Sequence, residues 1–132
     1  MSHIATHGSK IGIVNPQLFR QAMNLAAEDF NCPLEEGGEV FEYLKHDKRK
    51  CDFAIRPKFL ERGFGVTMNK DGTVSFVGDP YGAYQQWNSI QQQLEQHYQV
   101  LSIRAQAASY GWPVEAFSAA PGKPVDMELV VE

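Results

Sequence analysis

Apolar residues recur at helical spacing in two parts of the chain, and each part predicts a helix. In the first part, apolar side chains follow Asn15-Pro16 at intervals of three or four residues as far as Phe30. This spacing is typical of a helix of about four turns with one apolar stripe. Asn15 is a good N-cap and Pro16 fits the first helical position. Cys32-Pro33 is expected to end this helix.

The second run, residues 83–110, predicts one long helix that ends at Gly111. One face is apolar and is predicted to face the core. The opposite face is mostly glutamine, with Glu95 and Arg104 as its formal charges, and it is either a candidate protein interface or merely polar. The predicted core face consists of Tyr84, Trp87, Ile90, Leu94, Tyr98, Leu101, Ala105 and Ala108, and the glutamines are Gln85, Gln86, Gln92, Gln93, Gln96 and Gln99.

Segments rich in β-branched and aromatic residues predict strands. The clearest is a hairpin in which residues 63–68 and 73–78 flank a turn ending in Asp71-Gly72, because Asp-Gly supplies the positive φ angle of a tight turn. The charged run 45–50 and the segment 79–82 are predicted to be turns. The other predicted strands are residues 3–14, with an interruption at Gly8, and residues 40–44, 51–56, 114–117 and 125–131.

Together these elements predict an α+β fold in a single domain covering residues 1–132. We expect an antiparallel sheet of about five to six strands, with one short and one long helix packed on one face. The predicted order is β-α-β-β-β-β-α-β-β. The composition agrees, since 43% hydrophobic and 21% charged residues are close to the average for globular domains.

The cysteines and the first residues predict a cytoplasmic protein. Residues 1–10 contain no apolar run, so we expect neither a secretory signal nor a transit peptide. No segment approaches the ~18 apolar residues that cross a bilayer. Cys32 and Cys51 are interpreted as free thiols in a reducing compartment, with a disulfide or a metal pair as the alternative.

A set of short motifs lies along the chain in a characteristic order. They are Met1-Ser2-His3, Asp52-Phe53-Ala54-Ile55, Gly63-Phe64-Gly65-Val66, Asp71-Gly72, Asp79-Pro80-Tyr81-Gly82, Tyr98 and Gly111. This arrangement resembles a family of small conserved proteins of unknown function, the conserved hypothetical plastid reading-frame family of algal plastids, cyanobacteria, other bacteria and phages. The chain departs from that family in a longer, more charged region 32–50 and in Pro80-Tyr81, where bulkier aromatics are usual. The family has no established catalytic residues, so the resemblance implies a fold and no residue roles.

A first group of candidate ligand-binding residues lies where the hairpin leads into the long helix. Asp79, Tyr81 and Tyr84 occur there, and Trp87 follows them. The N–H groups at the start of a helix attract anions, so an aromatic pocket at this point is a candidate ligand site. The alternative is that Asp79 simply caps the turn and Trp87 belongs to the core.

A second group comes from the basic concentration in residues 45–62. Its candidate ligand-binding residues are Lys48, Arg49, Lys50 and Arg56. On an acidic chain, such a positive patch can meet nucleic acid, a phosphate-bearing ligand or an acidic partner. The alternative is a solvated turn whose lysines guard a sheet edge against pairing with other chains.

Signals for catalysis and for metal binding are weak. His3 and His7 share a face of a predicted strand and are weak metal candidates, although an ordinary hydrogen bond explains each of them. Gly63-Phe64-Gly65 is followed by a strand pattern, which argues against a phosphate loop. No nucleophile elbow, P-loop or zinc-protease motif occurs, and we expect no cofactor.

The leading hypothesis is therefore a non-enzymatic binding or accessory protein that contacts a partner protein or self-associates. The alternatives are a binder of a small anionic ligand such as a nucleotide, using the two candidate groups, and a small enzyme using His3, His7 or His97. A formal net charge of −4 argues against a nucleic-acid partner. No membrane association is expected.

Overall fold

The computed structural model of the protein describes residues 3–44 and 47–111. The strands predicted at 114–117 and 125–131 lie outside these residues. Within them the helices are α1 (Pro16–Asp29) and α2 (Tyr84–Ser109). The strands are β1 (Ala5–Gly8), β2 (Leu34–Glu36), β3 (Glu39–Phe41), β4 (Lys48–Lys50), β5 (Phe53–Ile55), β6 (Phe64–Met68) and β7 (Val74–Gly78).

Five of the strands form one antiparallel sheet, in the order β1-β7-β6-β5-β2. Alternate residues of β6 and β7, such as Phe64, Val66 and Phe76, pack with side chains of both helices in the main core. The predicted α+β class, the antiparallel sheet and the two helices are confirmed. The largest fully buried side chains in this core are Phe19, Phe64, Phe76, Met23, Ile55, Leu60, Ile90 and Leu94.

The first helix begins as the sequence predicts. The Asn15 side-chain oxygen accepts hydrogen bonds from the backbone N–H groups of Gln17 and Leu18, and Pro16 occupies the first turn. The backbone N–H of Asn15 also donates to the hydroxyl of Tyr98 at 2.9 Å, so the start of α1 is tied to the middle of α2. The hairpin of β6 and β7 is confirmed as well, with Gly72 at φ +88° in its turn.

The region between α1 and β6 differs from the prediction, because it holds four strands instead of two. β2 pairs with β5 and β3 pairs with β4 in one unbroken antiparallel register, and the bonds Gly37 N to Asp52 O and Cys51 N to Gly38 O join the two parts. We call this bent hairpin, residues 34–44 and 47–55, the ribbon. The prediction of a turn at 45–50 is thus wrong for Lys48–Lys50, which form β4. All three residues of β4 are exposed, so no alternation of hydrophobic and polar residues marks this strand in the sequence.

The outer half of the ribbon lies on the sheet face opposite the helices. Val40 of β3 and Cys51 join Ile4 and Val77 in a second, smaller buried cluster. Gly65 permits this contact, since a Cβ at that position would lie 2.5 Å from Cys51 Sγ and 2.8 Å from the carbonyl oxygen of Val77. The sheet is therefore covered on both faces in the described part of the chain.

The N-terminal strand and both ends of the long helix also differ from the prediction. β1 ends at Gly8, and Gly12 at φ +63° interrupts the rest of the predicted strand. Tyr84, Ala105 and Ala108 are exposed, whereas the predicted core face included them. A helix of 26 residues spans about 39 Å and the five-residue strands only about 17 Å, so the ends of α2 extend past the sheet.

Only part of the glutamine face of α2 is exposed to solvent. Gln93 and Gln96 are buried, which corrects their prediction as outer-face residues. Gln93 lies against α1, where its Nε2 donates to Asp29 Oδ2 at 2.6 Å. Glu95 is also buried and accepts a hydrogen bond from the Lys10 backbone N–H at 3.0 Å.

Neither described helix combines the length and the apolar character that a bilayer-spanning helix needs.

Replacing Gly65 with alanine is expected to destabilise the fold by about 1–3 kcal/mol, because the new methyl group must displace Cys51 or the β7 backbone. Gly8→Ala is the matched control, since nothing lies within 4 Å of a Cβ at Gly8, and its effect is expected to stay within about 0.5 kcal/mol. Urea denaturation measures both. Equal stability of the two variants would contradict the close packing of the ribbon.

Candidate functional site

The end of β7 carries a buried carboxylate that joins two parts of the chain. Asp79 is 2% exposed. Its Oδ1 accepts the backbone N–H of Tyr81 at 3.1 Å, which caps the turn before α2, and its Oδ2 accepts the backbone N–H of Tyr43 at 2.8 Å. The capping role considered for Asp79 is thus observed. The second bond also fastens the end of the ribbon to the start of the long helix.

An arginine lies beside this carboxylate. Arg62 Nη1 is 4.0 Å from Asp79 Oδ2, and the Arg62 side chain is 13% exposed. Its guanidinium carbon lies 5.2 Å from the centre of the Tyr43 ring. The backbone carbonyl of Arg62 also accepts the N–H of Phe41 at 2.9 Å. A buried charge is costly unless it is paired, and Arg62 supplies the opposite charge beside Asp79 while its guanidinium contacts the Tyr43 ring.

Around Asp79, large apolar side chains are exposed to solvent. The rings of Tyr43 and Tyr81 meet edge to face, with centroids 5.1 Å apart. Tyr43 is 49% exposed, Leu44 62% and Tyr81 43%. We call these three residues the tip surface. Tyr84 begins α2 three residues after Tyr81 and is 61% exposed.

Three of the basic candidates lie on the ribbon near this surface. They make up β4, that is Lys48, Arg49 and Lys50. The strand begins directly after Asp47, whose carbonyl oxygen accepts the backbone N–H of Glu42 at the end of the ribbon. Lys48 forms an ion pair with Glu39 at 3.4 Å. Arg49 donates to Thr6 Oγ1 at 3.3 Å, across to the main sheet. These residues thus form an exposed basic strand.

Arg56 is held elsewhere, by the other end of the ribbon. Its Nε forms an ion pair with Glu35 at 3.1 Å. Its guanidinium also donates to the backbone carbonyls of Glu61, at 2.8 Å, and Glu39, and it lies 5.4 Å from the centre of the Phe41 ring. These contacts use the guanidinium to brace the ribbon, and none of them is with Asp79, Tyr81 or Tyr84.

His7 and His97 contact different parts of the structure. His7 lies beside Trp87, with ring centroids 5.1 Å apart, and burial lowers its pKa, with a further lowering from His3. His97 Nε2 lies 2.6 Å from Asp29 Oδ2 and links the two helices. Among the residues that the structure describes, no group of three or more His, Cys, Asp or Glu side chains is placed to hold a metal ion.

Both cysteines are free thiols, and neither is poised for reaction. Cys51 is buried and Cys32 is half-buried. Burial raises the pKa of both thiols, which disfavours the reactive thiolate.

Comparisons of the chain with models of known protein families, with curated proteins and with solved structures find no match. The resemblance to the plastid reading-frame family stays a prediction. The function therefore has to follow from the geometry of this chain.

Three of the clefts on the described surface are lined by residues other than Asp79, Tyr81 and Tyr84. The first, of about 350 Å³, lies between Phe30, Phe59 and the first turns of α2. The second, of about 490 Å³, is at the bend of the ribbon and includes Lys50 and Asp52. The third, of about 230 Å³, lies between Ile11 and the middle of α2. None of these three clefts brings the first group of candidates together.

Sequence reasoning missed three residues of this site. Tyr43 and Leu44 belonged to a predicted strand, and Arg62 was only one of several basic residues. Tyr43-Leu44 are two adjacent apolar residues directly before a charged run, and this break in alternation is the signal that indicates an exposed end. No spacing rule links Arg62 to Asp79, because their contact depends on the path of the ribbon.

Removing the Asp79 carboxylate is expected to loosen the ribbon end. Asp79→Ala should cost about 2–4 kcal/mol of unfolding free energy, because two backbone donors and Arg62 lose their partner. Asp79→Asn keeps one acceptor oxygen and should cost about half as much.

Urea denaturation and hydrogen exchange of the Tyr43 amide measure this effect. The control is Asp47→Ala, which removes an exposed carboxylate from the same end of the ribbon and should change stability by less than about 1 kcal/mol. If the Tyr43 amide exchanges equally slowly in wild type and Asp79→Ala, the anchoring role is wrong.

His7 should make the fold sensitive to mild acid. Its pKa in the folded state lies below the ordinary 6.5, so as the pH falls through 6.5 the unfolded chain takes up a proton first. Stability therefore falls from about pH 6.5 down to the lowered pKa. His7→Gln should flatten this part of the curve, as measured by thermal unfolding between about pH 7.5 and pH 5. An unchanged pH dependence in the variant would contradict it.

Proposed function

We propose that this protein is a non-enzymatic binding protein that contacts a partner protein through the tip surface, Tyr43, Leu44 and Tyr81. The observation that carries the proposal is the exposure of these three side chains, between 43% and 62%, on a backbone held by a buried carboxylate. Clustered apolar side chains exposed to water are typical of interaction sites.

The chemistry of the tip surface supports this role. Tyrosine supplies a large contact area and a hydroxyl for hydrogen bonding, and it is enriched among the residues that dominate binding energy. The contacts of the Tyr43 ring with the Arg62 guanidinium and with the edge-to-face Tyr81 ring orient it before any partner arrives. Less conformational entropy is then lost on association, which favours affinity.

The alternative functions have less support. The carboxylate of Asp79 lies at the centre of the first candidate group and repels an anionic ligand, and its two oxygens already accept backbone hydrogen bonds. For an enzyme using histidine, His97 is engaged by Asp29 and His7 packs against Trp87. The bonds seen at His97 are to Asp29 and Gln93, and the ring contact of His7 is to Trp87, so in these contacts neither imidazole meets a hydroxyl or a thiol.

Affinity capture from cross-linked extracts of the native host tests the proposal. Wild type is expected to recover a specific partner, and the double variant Tyr43→Ser/Leu44→Ser to lose it. The backbone bond from Tyr43 to Asp79 is independent of either side chain, so the fold should persist. The matched control is Ile13→Ser, which removes an apolar side chain that is 74% exposed elsewhere, and it should keep the partner.

Light scattering of the purified protein accompanies the capture. A dimer that dissociates in the double variant would identify the partner as a second copy. A strictly monomeric protein that recovers nothing, or a partner retained equally by the double variant, would overturn the proposal.

A further inference from the structure

The outer edge of β4 is open within the described part of the chain. β4 pairs with β3 in a two-stranded sheet. The bonds Glu42 N to Asp47 O and Cys51 N to Gly38 O lie on either side of this pairing. Because hydrogen-bonded and non-hydrogen-bonded pairs alternate in an antiparallel ladder, Arg49 bonds towards β3. The backbone groups of Lys48 and Lys50 are therefore directed away from it. Of these, the Lys48 N–H donates to Asp47 Oδ1 at 2.8 Å, so an added strand would pair with the Lys48 carbonyl and with both backbone groups of Lys50, and would replace Asp47 at the Lys48 N–H.

The side chains along this edge are strongly positive. Lys48, Arg49 and Lys50 are consecutive and all exposed. Arg49 reaches back towards Thr6 of β1, so Lys48 and Lys50, two residues apart, share the other face of the strand. The carboxylate paired with Lys48, that of Glu39, belongs to β3 on the inner side of the ribbon.

These charges determine which strand can pair with β4. Lysines on an open edge oppose pairing with a like strand, because like charges directly across a ladder are destabilising. A second copy of β4 is therefore excluded by its own charge. A strand with carboxylates at alternate positions places them beside Lys48 and Lys50, where opposite charges favour pairing.

The tip surface continues from the same end of the ribbon. Tyr43 and Leu44 follow Glu42, whose backbone N–H donates to the carbonyl oxygen of Asp47. Lys48, the first residue of β4, directly follows Asp47. A strand added along β4 thus runs towards exposed apolar side chains at its Lys48 end. This arrangement suits a segment with alternating acidic residues and an apolar residue at one end.

We propose that β4 takes up an extended acidic segment of a partner protein as an added strand, with the tip surface contacting an apolar residue of that segment. The inference rests on the proposed function and specifies the class of partner. Backbone hydrogen bonds to the edge supply affinity, and the lysines select carboxylates, as in other cases of strand addition. Charge also accelerates the encounter, so binding weakens as salt rises.

The test uses a fluorescent peptide of about ten residues in which Glu alternates with Val and one end carries Leu. Fluorescence polarisation with the whole protein is expected to show binding that weakens at about 0.5 M salt. A second peptide has the same sequence, with methyl groups on the alternate backbone nitrogens that would face β4. It keeps every charge but cannot form the ladder, and it should bind at least about tenfold more weakly.

Two protein variants locate the site. Lys48→Gln/Lys50→Gln is expected to weaken binding by about tenfold. The matched control, Lys58→Gln/Lys70→Gln, removes the same net charge from two other exposed lysines and should change affinity by less than about twofold. Circular dichroism shows whether each variant keeps its fold.

Four results would overturn the inference. Equal binding of the methylated peptide would mean charge attraction without strand addition. Equal weakening by both lysine pairs would mean no defined edge, and tighter binding of an oligothymidine of similar length would assign the basic strand to single-stranded nucleic acid. If the acidic peptide does not bind while host capture through the tip surface succeeds, the inference fails and the proposed function stands.

Discussion

The ribbon can lie flat on the main sheet only because Gly65 has no side chain. Cys51 and Val40 occupy the space that a Cβ at this position would need, and the β7 carbonyl of Val77 closes it from the other side. This contact covers the second face of the sheet and sets the height of β3 above β6 and β7. It also directs the ribbon end towards Asp79. A side chain at Gly65 would lift the ribbon, and the distances at the tip surface would change with it.

Asp79 holds the residues of the tip surface in place. A nearly fully buried carboxylate is expensive, and here two backbone donors and the nearby Arg62 compensate for it. In return, the relative position of the ribbon end and the helix start is fixed, because both are bonded to the same side chain. Tyr43 and Tyr81 therefore meet although 38 residues separate them in the sequence. The proposed partner site depends on this convergence, as does the continuity between the tip surface and the basic strand.

Local signals explain which elements could be predicted. Asn15-Pro16 caps α1 with its own side chain, and Asp71-Gly72 closes the β6–β7 turn, so neither depends on distant residues. The apolar spacing of Trp87, Ile90 and Leu94 likewise predicts the buried face of α2. β4 could not be predicted in this way. A strand whose residues are all charged and exposed has no alternation, and only its register with β3 identifies it.

The sequence by itself determined the class of the fold, the two helices, the central hairpin and the position of a basic stretch, because each depends on neighbours within a few residues. The tertiary structure decided where the ribbon bends, which glutamines are buried and which arginine serves the site. Arg56 and Arg62 have the same chemistry and lie six residues apart, yet one braces Glu35 and the other accompanies Asp79. The path of the chain over Gly65 determines which carboxylate each arginine can reach, and no pattern of residues records that path.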